Sequence, residues 1–146
     1  MALTRREAWS FVPLLVASGA GIPAFAVQDD SLPSGTFPFE NMPVQNSERA
    51  QIRSIIKGKL ATGEHIEVHE TTLPANGSPH PPHHHVHSEM WLIREGTVEL
   101  TINGATHRLG AGGLGFVHSN EEHGIKNVGN GSATYYVVAI GPGADS

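Results

Sequence analysis

At 146 residues the chain has the length of one domain, and its net charge of −5 comes with Lys and Arg scattered rather than striped, which argues against nucleic acid as a partner. It has no cysteine, so neither a disulfide framework nor a thiolate metal site can form. Seventeen glycines and ten prolines favour short elements joined by turns, and ten histidines point to metal.

Residues 1–26 read as an export signal. Thr4-Arg5-Arg6 gives a positive start, Phe11 to Ile22 a mildly apolar run, and Ala24-Phe25-Ala26 a small-x-small cleavage site. The apolar run is too short and too rich in Gly and Pro to span a bilayer, so no stable membrane insertion is expected after processing. The paired arginines suggest the twin-arginine route, with a periplasmic or extracellular product, although Ala8 and Trp9 are not the usual residues after such a pair. Ordinary export is the alternative.

Residues 27–47 are rich in Asp, Ser and Pro. Pro33, Pro38 and Pro43 exclude a regular helix and keep the chain extended. Phe37, Phe39 and Met42 fit an arm laid against the following domain or a neighbouring subunit better than a disordered spacer.

The compact domain is expected over residues 48–142, with 143–146 a flexible tail. Gln51 to Ala61 carries Ile52, Ile55, Ile56 and Leu60 and ends at a Thr62-Gly63 turn. Glu64 to Leu73 alternates, with Ile66 and Val68 on one face and His65, Glu67 and His69 on the other. That pattern predicts His65 and His69, and likewise His107, as surface strand residues. Val98, Leu100 and Ile102 alternate up to Asn103-Gly104, a dipeptide suited to a tight hairpin turn, and Ala105 to Leu109 is the return strand. Gly110 to Gly115 leads into Phe116-Val117, and Gly129-Asn130-Gly131 separates a strand at His123 from an apolar one over Thr134 to Ile140. Turns at roughly 8–12-residue spacing with no amphipathic helix between them indicate an all-β antiparallel sandwich or barrel.

The stretch Gly77 to Gly96 holds five of the histidines. Strand side chains alternate, so His83 and His85 project to one side and can share one ion, as in principle can His85 and His87. Glu89 has the same parity, but fully extended chain would carry it roughly 13 Å further on. It can join them only if the chain bends at Val86-His87-Ser88. His123 must arrive from a strand distant in sequence. The competing reading is a solvated, His-rich loop that binds metal loosely.

With these residues the chain resembles a cupin. The first cupin motif, glycine, His-x-His, Glu and glycine, is met in full by Gly77, His83, His85, Glu89 and Gly96. The second is met by Gly112, His123 and Asn127, with His118 where proline is usual and Asn120 where glycine is usual. The resemblance covers about residues 51–140. It implies an all-β, cupin-type double-stranded β-helix (a jelly-roll barrel), here with an extended N-terminal arm and often dimeric. It also implies one divalent metal held by His83, His85, Glu89 and His123. Such a nitrogen and oxygen set suits Mn, Fe, Ni or Co, with Zn possible. Two coordination positions would stay open to a small-molecule substrate, and dioxygenase chemistry is the first expectation. Decarboxylation or isomerisation, or a non-catalytic role in binding a small molecule or metal, are the alternatives.

Other candidates are individual residues. Trp91 and Ile93 share parity with Glu89 and are expected to line a substrate pocket. Tyr135 and Tyr136 fall on opposite faces of the last strand, and either could present a hydroxyl. His118 is read first as a turn residue, with a proton carrier near the barrel mouth as the alternative. His80, His84 and His87 are expected in the loop or behind the ligands, and Asn127 is expected to cap a strand end. The arm and a short edge strand fit the homodimer that the resemblance implies.

Overall fold

The structure, a computed structural model, describes residues 30–146. The expected export signal, residues 1–26, and the first residues of the arm lie outside the described residues.

Among the described residues nine strands follow in chain order: β1 (Val44–Asn46), β2 (Gln51–Lys59), β3 (His65–Leu73), β4 (Ser88–Glu95), β5 (Thr97–Ile102), β6 (Ala105–Gly110), β7 (Leu114–Val117), β8 (His123–Asn127) and β9 (Ala133–Ile140). All pairings are antiparallel, in a six-stranded sheet of order β1-β2-β3-β9-β4-β7 and a three-stranded sheet of order β6-β5-β8. This is the expected all-β jelly roll. The apolar cluster between the sheets includes Leu73, Trp91 and Tyr135 from the larger sheet and Val98, Leu100 and Ile125 from the smaller.

Local chemistry sets the corners. Asn103 and Gly104 both take positive φ, 48° and 80°, as a two-residue hairpin turn between right-twisted strands requires, and β5 and β6 pair in the register this turn dictates. Gly96, between β4 and β5, has φ of 81°, and a Cβ there would lie 2.7 Å from the backbone of Ala133, so two constraints demand glycine.

The arm lies against the barrel from Leu32 onward. The Leu32 N–H donates to the Lys59 carbonyl at 2.7 Å, and its side chain fills the space that Gly58 leaves. The Arg53 guanidinium sits 4.0 Å from the centroid of the Phe39 ring, and β1 adds a strand to the edge of β2. Residues 143–146, expected as a flexible tail, fold back on β3: Ala144 is buried, and the Asp145 carboxylate is 2.7 Å from His65 Nδ1.

Candidate metal centre

The histidine tract is held by main-chain bonds before any side chain is considered. His83 and His123 exchange backbone hydrogen bonds at 2.9 and 2.8 Å, an isolated antiparallel bridge that sets the tract beside β8. The Asn120 N–H donates to the His85 carbonyl at 2.8 Å. The chain then bends at Val86-His87, as the spacing demanded, and Glu89 enters β4 between Ala139 and Val117. The departures from the usual second motif are absorbed locally. Asn120 adopts φ of 64°, the left-handed conformation that asparagine tolerates best among residues with a Cβ.

The side chains converge. One nitrogen from each of His83, His85 and His123 lies within 4.8 Å of the others. Glu89 Oε2 is 3.4 Å from His85 Nε2 and 3.3 Å from His123 Nε2. Two further bonds orient the rings: His85 Nδ1 donates to the His87 carbonyl at 2.9 Å, and His123 Nδ1 to the Glu121 carbonyl at 2.8 Å. Because a carbonyl can only accept, each ring carries a proton on Nδ1 and turns an Nε2 lone pair inward. His85 Nε2, His123 Nε2 and His83 Nδ1 are all buried without a hydrogen-bond partner.

This donor set fits a cation. Two lone pairs cannot face a carboxylate oxygen at such range without a proton or a metal ion between them, and neighbouring ligands around one ion, each about 2.1 Å from it, stand ~3 Å apart. The nitrogen and oxygen ligands suit the divalent first-row metals. Burial pushes the Glu89 carboxyl up, but the imidazoles of His123, His85 and His87 outweigh it and hold it below the usual carboxylate range. Burial also pulls His123 down, against the Glu89 carboxylate and the Glu121 carbonyl, which leave it raised. Burial and the neighbouring imidazoles of His80, His123 and His85 take His83 down to about 4, so it is neutral and free to ligate near pH 7.

The centre opens on a cavity of about 200 Å³. Glu89 and His123 form its metal-facing wall, and Trp91, Ile125 and Val137 its apolar sides. Trp91 thus lines the cavity as expected, whereas Ile93 is buried in the core outside the lining. His80 stands at the cavity too, and His84 is exposed. His87 stacks on His85 with ring centroids 3.5 Å apart, and it forms a second group with His85 and Glu89 whose ligand atoms lie within 4.8 Å.

Two alternatives are decided and one expectation changes. Tyr136 turns to the outer face, beside Glu70 and Arg94, and Tyr135 lines the cavity instead. Tyr135 bonds Thr71, and burial together with the Glu89 charge raises its pKa, so it stays a neutral hydroxyl. His118 is exposed in a turn whose backbone N–H is taken by Glu121, and it does not line the cavity. His69, expected at the surface, lines the cavity with Nδ1 buried and without a hydrogen-bond partner, 3.6 Å from Glu67 Oε1. Burial lowers its pKa despite Glu67 and Glu89, which keeps it neutral. Its parity, shared with Thr71 and Leu73, was the signal available; apolar Ile66 and Val68 on the opposite face masked it. Asn127 caps as expected, donating to the carbonyls of Leu73, Pro74 and Gly131 and accepting from Gly129 N–H.

The family model of the cupin domain matches residues 69–139. No curated protein sequence matches the chain. Among solved structures, an RmlC-like cupin from Shewanella frigidimarina superposes with a TM-score of 0.63 at 16% identity, covering 77% of this chain and 96% of that one. A predicted oxalate decarboxylase from Thermotoga maritima gives 0.62 at 20% identity, covering 73% and 99%. The polyketide cyclase RemF from Streptomyces resistomycificus gives 0.61 at 20%, covering 74% and 80%. At such identities the structural likeness is one of fold.

Proposed function

We propose that this chain, which belongs to the cupin superfamily, is a metal-dependent enzyme acting on a small oxygen-bearing organic molecule, with dioxygenase chemistry as the leading reaction. The observation that carries the reading is the convergence of His83, His85, Glu89 and His123, with Glu89 and His123 in the wall of a partly enclosed, mostly apolar cavity. A purely structural metal would have no such cavity beside it.

A divalent ion held by these four residues would supply Lewis acidity and, if redox-active, a route for electrons to dioxygen. The protein's own contributions are distinct. His85 and His123 present lone pairs already oriented by the carbonyls behind them. Glu89 contributes the negative charge that favours a cation over a neutral occupant. Trp91, Ile125 and Val137 keep bulk water from the reacting atoms. Tyr135, Thr71 and His69 offer neutral hydrogen-bonding groups to hold the polar atoms of a ligand.

Oxygen uptake by the iron- or manganese-loaded protein across catechols, flavonols and short oxo-acids tests the reading. Uptake coupled to substrate loss supports it. Turnover without oxygen uptake transfers the assignment to decarboxylation, a chemistry named for two structural neighbours, or to isomerisation. Binding without turnover of any compound sinks the enzyme reading and leaves a binding module. Export through residues 1–26 and pairing into a homodimer belong to the same proposal, checked by cell fractionation and by light scattering on the purified protein.

A further inference from the structure

The cavity beside the metal centre has a lopsided chemistry. Glu89 is the one charged residue in its wall, and its other polar groups are imidazoles and hydroxyls, those of His69, Thr71 and Tyr135 among them. Among the described residues no Lys or Arg lines it. Strand parity is the reason. In β2, Ile52 pairs with Thr71 and turns inward, while Arg53 turns outward to Glu70 at 3.9 Å. In β4, Trp91 turns inward, while Arg94 reaches Glu70 on the outer face at 2.7 Å. The sheet's arginines here are committed to a carboxylate on the far side.

Charge balance then limits what fits. A divalent ion, the Glu89 carboxylate and neutral imidazoles leave one net positive charge. One ionised oxygen group on a ligand cancels it. A second would leave one net negative charge close to Glu89, with only neutral imidazoles and hydroxyls and no Lys or Arg in the wall to meet it, and burying an uncompensated charge is strongly unfavourable. The space of about 200 Å³ corresponds to roughly seven waters, enough for a one-ring molecule.

We propose that the site selects a compact, apolar-bodied molecule with a single ionised oxygen group, of the enol, hydroxyketone or phenol type, and discriminates against dicarboxylates. This rests on the metal-centre reading above.

The test uses the full chain loaded with zinc, whose content is first measured by mass spectrometry, and titration calorimetry with two chelators. Tropolone carries one acidic oxygen group on an apolar ring; oxalate carries two carboxylates. Tropolone should bind at least tenfold more tightly, and Ile52→Arg, which sets a cation at the cavity wall, should narrow that ratio threefold or more. Equal or tighter binding of oxalate overturns the proposal, as does a zinc-loaded protein that binds neither probe. A folded Ile52→Arg variant with an unchanged ratio overturns the charge argument on which it stands. A protein that takes up no metal removes the metal-centre reading itself, a separate failure seen before any chelator is added.

Discussion

On β3, the outward residues Ile66 and Val68 and the inward residues His69 and Thr71 exchange the polarity that a half-buried strand ordinarily shows. The outward face can be apolar because the arm covers part of it: Leu32 and Phe37 share a groove with Ile56 and Ile66. The inward face can be polar because it borders a cavity rather than packed core. Hydrophobic alternation therefore reports which residues share a face, but it names the inside correctly only where the inside is filled.

The comparison can be broken or sharpened by substitution on either face. The largest effect belongs inside, at the centre itself: Glu89→Ala or His123→Ala should lower metal content by an order of magnitude or more, read by mass spectrometry after dialysis against chelator. Full retention by both would show the ligand set to be wrong. On the outer face, Glu70→Ala leaves the Arg53 guanidinium, whose Nε has no hydrogen-bond partner, without its carboxylate. The expected loss is about 2 kcal/mol, seen as a Tm lower by about 7 °C, with metal content intact.

His69→Leu separates the cavity wall from the ligands. Metal content and Tm should hold, while ligand affinity falls about tenfold through the lost hydrogen bond; loss of metal would make His69 a ligand. Smallest is Phe39→Ala in the arm, where the ring is half exposed beneath Arg53. It should cost about 0.5–1 kcal/mol by chemical denaturation and leave the inner face untouched.

Much of this was legible in the sequence because the informative residues do their work locally. Asn103-Gly104 states its turn, and the spacing of His83, His85 and Glu89 the bend that unites them. Asn127 was readable as a cap because a buried amide must find backbone partners. His69 and the choice between Tyr135 and Tyr136 were not legible, because each depends on what covers a face. That is a property of the arm and the cavity rather than of the strand. His118 stayed open for a related reason: proximity in sequence to a ligand says nothing about direction once a turn such as that at Asn120 intervenes.

The main-chain bridge between His83 and His123 has a thermodynamic consequence. Peptide groups, not the ion, bring the distant segments together, so little association free energy goes into ordering the polymer. Stripping with a chelator should leave the jelly roll standing and ready to reload, unlike small domains that collapse when demetallated. Occupancy then follows the relative abundance of competing ions wherever the barrel closes, and a change in that supply could re-equip the same polypeptide without altering a residue.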